Sequence, residues 1–165
     1  MEIKAIETTY KGYKFRSRLE ARWAVFFDAL MWNWHYEHEG FELKSGRYLP
    51  DFYFPDFGYY AEVKPGILTD NDFIKCAELS KKYNPIEKVN ETGVILLEGI
   101  PELKSYRFLL GGGEVTEVIF IDLTSKYYPL YFGYDYDEDY FYGQNHAVKK
   151  SRSSRFEFGE NINLI

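Results

Sequence analysis

The first clear pattern of apolar positions predicts a helix over residues 17–32, SRLEARWAVFFDALMW. Its apolar positions recur at helical spacing and are Leu19, Trp23, Phe26 and Leu30. Ser17 followed by Glu20 is the S-x-x-E capping-box signature, in which the serine caps the helix and the glutamate reaches back to the cap amide. The helix is therefore expected to begin at Ser17.

A hairpin is predicted at residues 46–66, GRYLPDFYFPDFGYYAEVKPG, where aromatic-rich runs flank a cluster of Pro, Asp and Gly. Its strands would be residues 48–54 and 59–64, with Phe54 paired to Tyr59 across the turn. Side chains alternate along each strand, so one face of this hairpin is apolar and suits a core. The residues of that face are Phe52, Phe54, Ala61 and Val63.

The register of the hairpin decides which aspartate could act with Glu62 and Lys64. It places Asp51 opposite Glu62, with Lys64 on the same face. Asp56 falls inside the turn, where Asp is common because its side chain bonds nearby backbone amides. Two facing carboxylates repel, and a divalent cation held by hard oxygen ligands would relieve this repulsion. The alternative is a solvated sheet face on which Lys64 neutralises one of the acids.

The remaining patterns predict further strands and helices without repeats or low-complexity segments. They are a strand over residues 34–43 with a bulge at Gly40, a helix over 71–83 capped by Asp70, a buried strand over 92–100, a hairpin of YRFLL and EVTEVIFIDL around Gly111 to Gly113, an edge strand in YYPLYFGY, and a short basic helix over 145–156. The order is helix, three strands, helix, strand and then additions. This predicts one α/β domain over 1–165, with its core in about 10–100 and C-terminal additions in about 105–165.

Composition narrows the class of protein. The aromatic content is 20%, with 16 Tyr and 14 Phe, which favours a sheet-rich, well-packed interior. Cys76 is the single cysteine, so neither an intrachain disulfide nor a thiolate zinc cluster is possible in this chain. The first residues lack an apolar signal core, and no apolar run reaches membrane-spanning length. The sequence therefore predicts a soluble, cytoplasmic protein.

The net charge of -6 argues against a simple nucleic-acid binder, but the charge is unevenly distributed. Residues 1–22 carry six basic and three acidic side chains, and residues 146–155 carry four basic and no acidic ones. Basic ends on an acidic body could bind phosphates. Solvated helix faces explain the same charges equally well.

The pattern of P-D, E-x-K and their surrounding elements resembles the PD-(D/E)XK nuclease superfamily, which has the restriction-endonuclease-like fold. The stretches FRSRLEARW, YEHEGFEL, YLPDFYF, EVKPG and SRSSRFEFGE are similar to those of small single-domain members encoded by phages. The resemblance implies a mixed sheet with an αβββαβ core and a Mg²⁺ or Mn²⁺ cofactor. It implies metal ligands at Asp51, Glu62, Glu20 and the Val63 carbonyl, and Lys64 at the nucleophile or the scissile phosphate.

The resemblance implies that the protein hydrolyses phosphodiester bonds of DNA with the help of a metal ion. The sequence leaves open whether it is an endo- or an exonuclease and what its oligomeric state is. RNA stays open as an alternative substrate. A second hypothesis is a catalytically silent nuclease-fold protein that binds nucleic acid or inhibits a host protein. The expected partners are therefore DNA or a host or phage protein, and no association with a membrane is expected.

Other candidate residues favour plainer interpretations. His35 and His38 are expected to face opposite sides of one strand, which argues against a shared metal site. Gly111 to Gly113 lack the pattern of a phosphate-binding loop and predict a turn. Tyr60, on the same face as Glu62, could stack a base or belong to the core.

Overall fold

The computed structural model describes residues 5–82, 92–102, 106–110, 114–120, 130–131 and 142–156. The helices are α1 (Arg18–Ala29), α2 (Asp70–Ser80) and α3 (Tyr142–Ser153). The strands are β1 (Thr8–Tyr10), β2 (Tyr13–Phe15), β3 (His35–Tyr36), β4 (Phe41–Leu43), β5 (Gly46–Tyr48), β6 (Phe52–Phe54), β7 (Tyr59–Lys64), β8 (Val94–Glu98), β9 (Tyr106–Leu110), β10 (Glu114–Phe120) and β11 (Leu130–Tyr131).

Seven of these strands form one mixed sheet in the order β11-β10-β9-β8-β7-β6-β3. Strands β7 and β8 are parallel, and the other neighbours in this sheet are antiparallel. The pairs β1-β2 and β4-β5 form two small antiparallel sheets of their own. From α1 to β8, the helices and the strands of the large sheet follow the predicted order of helix, three strands, helix, strand. The fold is therefore mixed α/β.

The large sheet separates two hydrophobic clusters because side chains alternate along its strands. Ala61 and Val63 of β7 belong to the larger cluster, which contains the buried side of α1 and Ala147 of α3. Tyr60 of β7 belongs to the smaller cluster, which contains Leu79 of α2. Consequently Glu62, which alternates with Ala61 and Val63, lies on the α2 side of β7. The predicted apolar face of the hairpin is confirmed as core.

Helix α1 begins as the sequence predicted, since the Oγ of Ser17 accepts a hydrogen bond from the backbone amide of Glu20 at 3.2 Å. The predicted return bond to the cap amide is wrong. The Glu20 carboxylate accepts instead from the backbone amide of Arg16 at 3.1 Å. The helix also ends at Ala29, short of the predicted residue 32, because Met31 adopts a left-handed conformation with φ of 56°.

Helix α2 is capped by Thr69, and the prediction of Asp70 as its cap is wrong. The Thr69 side chain accepts from the backbone amide of Asp72 at 3.3 Å, and the Asp72 carboxylate accepts from the backbone amide of Thr69 at 2.9 Å. This reciprocal pair is a full capping box, which satisfies two donors at the helix terminus and so fixes its start one residue earlier. The helix ends at Ser80, before the predicted residue 83.

The predicted strand over residues 34–43 is wrong because it is two strands in different sheets. Strand β3 pairs with β6, whereas β4 pairs with β5. The break lies at Glu37, whose φ of 47° is left-handed and incompatible with continued extension, and Gly40 lies beyond it.

The hairpin register is confirmed, with Phe54 paired to Tyr59 and Phe52 paired to Ala61. Its first strand, however, is divided into β5 and β6. Pro50 lies between them and has no N–H to donate to a sheet, which explains the interruption.

The C-terminal additions follow the predicted pattern. Strands β9 and β10 pair antiparallel as expected, with Leu110 opposite Glu114, and among the described strands β11 lies at one edge of the large sheet, with β3 at the other. The basic helix begins at Tyr142 and ends at Ser153, against predicted limits of 145 and 156. The predicted Gly111 to Gly113 turn lies outside the described residues. Within the described residues, no helix is long and apolar enough to cross a membrane.

Candidate active site

A cavity of about 800 Å³ opens on the α2 side of β7, between the start of α1 and the small β4-β5 sheet. All of the residues predicted for the site line it: Glu20, Asp51, Glu62, Val63 and Lys64. Pro50 and the hairpin turn position Asp51, the alternation of β7 positions Glu62 and Lys64, and the first turn of α1 positions Glu20. Segments that are distant in sequence therefore bring the three predicted carboxylates and the ammonium group of Lys64 to the same cavity.

Asp51, the residue before β6, is buried, and each of its two carboxylate oxygens accepts a hydrogen bond. Its Oδ2 accepts a hydrogen bond from the backbone amide of Val63 at 2.7 Å, and its Oδ1 accepts one from Nη2 of Arg16 at 2.8 Å. The β6-β7 ladder stops at Phe52, so Asp51 is bound to β7 through its side chain and lies outside the ladder. The predicted direct pairing of Asp51 with Glu62 is corrected accordingly.

The electrostatic environment of Asp51 disfavours its charge. Burial raises the pKa of this carboxyl well above its usual range, and the negative charges of Glu62 and Glu20 raise it further. The Val63 amide and the Arg16 guanidinium act in the opposite direction on the same pKa. Burial and the two neighbouring acids therefore outweigh the Val63 amide and the Arg16 guanidinium in their effect on this pKa.

Glu62 is buried beside Asp51 and is held at both oxygens. Its Oε1 pairs with Nζ of Lys64 at 2.8 Å, and its Oε2 accepts a hydrogen bond from the Tyr48 hydroxyl at 2.9 Å. Tyr48 is also buried, with its hydroxyl 3.4 Å from Sγ of Cys76. The side chain of Glu62 consequently has a fixed orientation.

Lys64 pairs with two carboxylates, since its Nζ also lies 3.1 Å from Oδ1 of Asp72 in α2. Burial alone would lower the pKa of Lys64, but the hydrogen bonds and negative charges of Glu62 and Asp72 raise it above its usual range. Lys64 is therefore a cation in this arrangement. This favours charge stabilisation or orientation of water over a role as general base.

Glu20 is buried where α1 meets β3. Its carboxylate accepts hydrogen bonds from the Ser17 hydroxyl at 2.7 Å, from the Arg16 backbone amide at 3.1 Å and from the Tyr36 hydroxyl. Tyr36 lies in β3, so this contact connects the helix start to the edge of the large sheet. Glu20 thus faces the cavity from a position that is set by the local cap and by a distant strand.

The donor chemistry of the cavity fits Mg²⁺ or Mn²⁺, which bind hard carboxylate and carbonyl oxygens. Each carboxylate oxygen that accepts one hydrogen bond retains a second lone pair for a cation. Among the described residues, no three acidic, histidine or cysteine side chains are already grouped closely enough to hold a metal ion. Metal binding by this set would thus require side-chain adjustment, and the cofactor stays a prediction.

Sequence reasoning missed Arg16, Tyr36 and Tyr48, which contact the three acids directly. Arg16 belongs to the basic N-terminal segment and to the FRSRLEARW stretch, but the sequence predicted no role for it in the site. Its position four residues before Glu20 and next to the helix cap was a usable signal, because it places a cation beside the start of α1. The two tyrosines gave no comparable signal in a chain with 16 tyrosines.

Other predicted residues lie apart from this cavity or are buried. Asp56 lies in the hairpin turn, as predicted, where its Oδ2 accepts from Nδ2 of Asn33 at 2.6 Å. The prediction that His35 and His38 face opposite sides is wrong, because the turn at Glu37 brings their rings to 5.0 Å between centroids in a stacked arrangement. Tyr60 is 8% exposed and belongs to the core, so it offers no open face to a base.

The basic helix α3 packs on α1, away from the residues that line the cavity. Arg22 of α1 donates from Nη1 to the carbonyls of Ser151 at 3.0 Å and Arg152 at 2.8 Å, which stabilises the C-terminal end of α3.

Comparison with protein-family models, with curated proteins and with solved structures found no match for this chain, so its function must be inferred from the residues of the cavity.

Proposed function

We propose that this protein is a divalent-metal-dependent nuclease that hydrolyses phosphodiester bonds of DNA. The observation that carries the proposal is the convergence of buried Glu20, Asp51 and Glu62 on one cavity, together with the ammonium group of Lys64. The order of helix, three strands, helix and strand around the large sheet supports the restriction-endonuclease-like core that the sequence resemblance implies.

Asp51 and Glu62 would hold the metal, with Glu20 and the Val63 carbonyl completing the protein ligands. A bound Mg²⁺ or Mn²⁺ would supply charge stabilisation on the phosphate and a more acidic water. Burial and, after it, the charge of Glu62 raise the pKa of Asp51, and a bound cation would favour the charged carboxylate against both effects, which supports this assignment.

The residues of the chain prepare the phosphate for attack by water. The ammonium of Lys64 is fixed by Glu62 and Asp72, so it can stabilise the negative charge that develops on the phosphate oxygens. In the reaction, the water oxygen bonds to phosphorus while the bond from phosphorus to the leaving sugar oxygen breaks. The water loses a proton, and the leaving oxygen gains one.

A second candidate is a catalytically silent protein that binds nucleic acid or a host protein. The observation that favours it is that Asp51, Glu62 and Glu20 already have cationic, hydroxyl or amide partners. Such a network can serve structure alone, since buried charges that are paired and hydrogen-bonded persist without catalysis.

A cleavage assay separates the two candidates. Purified protein would be incubated with single-stranded, duplex and branched DNA, and with RNA, in Mg²⁺ or Mn²⁺, and the double variant Asp51→Asn with Glu62→Gln would be compared with Asp56→Asn. The nuclease proposal expects cleavage by the wild type and by Asp56→Asn and none by the double variant. Failure of the folded wild type to cleave any substrate, with binding of a partner that survives the double substitution, would favour the silent protein.

A further inference from the structure

The guanidinium of Arg16 lies at the mouth of the cavity and forms ion pairs with two carboxylates. Its Nη2 is 2.8 Å from Oδ1 of Asp51, and its Nε is 2.7 Å from Oε1 of Glu37. The Arg16 side chain is 57% exposed, whereas the Asp51 side chain is 5% exposed. A solvent-accessible cation therefore covers a buried acid of the proposed metal site.

The two oxygens of Asp51 are not equivalent. Oδ2 is bound by the backbone amide of Val63, which the β7 strand holds in place, whereas Oδ1 is bound by an exposed arginine side chain. A divalent cation that binds Asp51 would compete with Arg16 for Oδ1, and the two cations would also repel each other. Although Oδ1 keeps a second lone pair, this repulsion favours departure of the Arg16 guanidinium from the oxygen when a metal binds there.

The backbone of Arg16 is fixed although its guanidinium is exposed. Its amide lies 3.1 Å from the Glu20 carboxylate and 3.1 Å from the Tyr36 hydroxyl. Glu37 pairs with Nε, so it could keep the guanidinium at the cavity mouth after Asp51 is released. Displacement would accordingly reorient the head group within the same site.

We infer that Arg16 is a substrate-phosphate ligand that the metal releases from Asp51. The inference rests on the proposed nuclease function. In the metal-free protein, the guanidinium offsets part of the negative charge of the acids. Once a metal takes Oδ1, the planar fork of Arg16 is available to bind two oxygens of the DNA phosphate, a geometry that suits guanidinium better than ammonium.

The inference predicts opposite effects on metal binding and on cleavage. Arg16→Gln removes the competitor, so it should bind Mn²⁺ several times more tightly than the wild type in calorimetry without DNA. Its kcat/KM for DNA at saturating Mn²⁺ should nevertheless fall by about tenfold to a hundredfold, the range for loss of charge-assisted hydrogen bonds. Arg16→Lys keeps the charge without the fork, so it should bind Mn²⁺ like the wild type and still cleave more slowly.

Lys14→Gln is the matched control, because it removes one positive charge close to Arg16 in sequence. The Lys14 side chain lies outside the cavity lining, is 69% exposed and pairs with the exposed Glu7 at 2.8 Å. Neither Mn²⁺ affinity nor kcat/KM should change by more than about twofold, as expected for an exposed ion pair.

Weaker or unchanged Mn²⁺ binding by Arg16→Gln, in a wild type that binds Mn²⁺ and cleaves DNA, would overturn the inference and leave the nuclease proposal standing. Unchanged kcat/KM in Arg16→Gln would do the same. A wild type that neither binds Mn²⁺ nor cleaves would overturn the nuclease proposal, and this inference with it. Thermal melting of each variant without metal establishes that the compared proteins are folded.

Discussion

The carboxylate of Asp51 accepts a hydrogen bond from the backbone amide of Val63 at 2.7 Å, although Asp51 lies outside the β6-β7 ladder. This bond fixes the acid beside β7, the strand that also carries Glu62 and Lys64. Asp56, from the second P-D pair, lies in the turn and contacts Asn33. One side chain thus connects the two chain segments that the proposed metal site requires.

Asp51→Asn should abolish metal-dependent cleavage, whereas Asp56→Asn should retain most of it. A neutral amide at Asp51 removes the charge that would balance a divalent cation. We expect the cleavage rate to fall at least about a hundredfold, because loss of a ligand should cost more than loss of a hydrogen-bond partner of a ligand, which usually costs about tenfold to a hundredfold. Cleavage rates of both variants at equal Mg²⁺ measure the difference. Equal loss in the two variants would show that the cavity is not the active site.

Tyr48→Phe should weaken metal binding while leaving the fold intact. The Tyr48 hydroxyl donates to Oε2 of Glu62 at 2.9 Å and so fixes the orientation of that carboxylate. Removal of such a partner typically lowers metal affinity by about tenfold to a hundredfold. Calorimetric titration with Mn²⁺ measures it, and Tyr53→Phe, on a half-buried ring of β6, is the control. Unchanged Mn²⁺ affinity in Tyr48→Phe would assign the hydroxyl to packing alone.

Cys76 should be inert to thiol reagents in the folded protein. Burial raises the pKa of its thiol to about 12, and the nearby charge of Glu62 adds to this, although the hydrogen bond with Tyr48 acts in the opposite direction. Because the thiolate is the reactive form, its fraction at pH 8 should be roughly a thousandfold below that of an exposed cysteine. A chromogenic disulfide reagent added with and without denaturant measures this. Rapid modification of the native protein would contradict the burial of the thiol.

The elements that the sequence predicted well are those fixed by local chemistry. The Pro, Asp and Gly turn sets the pairing of Phe54 with Tyr59, and Ser17 caps α1 through a neighbour three residues away. The divided strand over residues 34–43 was missed because left-handed conformations are uncommon for glutamate, so Glu37 gave no signal.

The sequence patterns did not predict contacts between residues that are distant in sequence. The sequence placed Asp51, Glu62 and Lys64 on one face through strand alternation, and the structure lines one cavity with them. Arg16 and Asp51 are 35 residues apart, and their contact depends on how α1 packs against the sheet. No periodicity or spacing rule relates such a pair.

The basic helix α3 should contribute to DNA binding without affecting the chemical step. Replacement of Lys149, Lys150 and Arg152 with Gln should lower the salt dependence of duplex binding by up to about 0.9 in logarithmic slope for each phosphate that the helix no longer neutralises. Because α3 does not line the cavity, kcat at saturating DNA should stay near the wild-type value. Fluorescence anisotropy over a salt series measures the slope. An unchanged slope would assign these residues to a solvated helix face.

Glu20→Gln separates the structural role of Glu20 from its proposed metal role. Its carboxylate accepts from Arg16, Ser17 and Tyr36, whereas glutamine offers a single acceptor oxygen. The metal-free protein should therefore lose about 1 kcal/mol of unfolding free energy, the usual net contribution of one hydrogen bond. A glutamate that served only in a capping box would lose less on this substitution, because Gln can make the same bond to the cap amide.

Cleavage by Glu20→Gln should fall much further than this loss of stability explains, because the amide removes a negative charge from the proposed ligands. High Mg²⁺ should restore part of the rate if weakened metal binding is the cause. Thermal melting in chelator and cleavage rates across a Mg²⁺ titration give the two quantities separately. Ser17→Ala is the matched control, since it removes the cap and one hydrogen bond to Glu20 but leaves the carboxylate. At saturating Mg²⁺ its cleavage should stay close to the wild-type rate at temperatures where it is folded. If both variants lost stability and neither lost activity, Glu20 would only stabilise the start of α1 and its contact with β3, and Asp51, Glu62 and Lys64 would form the proposed site without it.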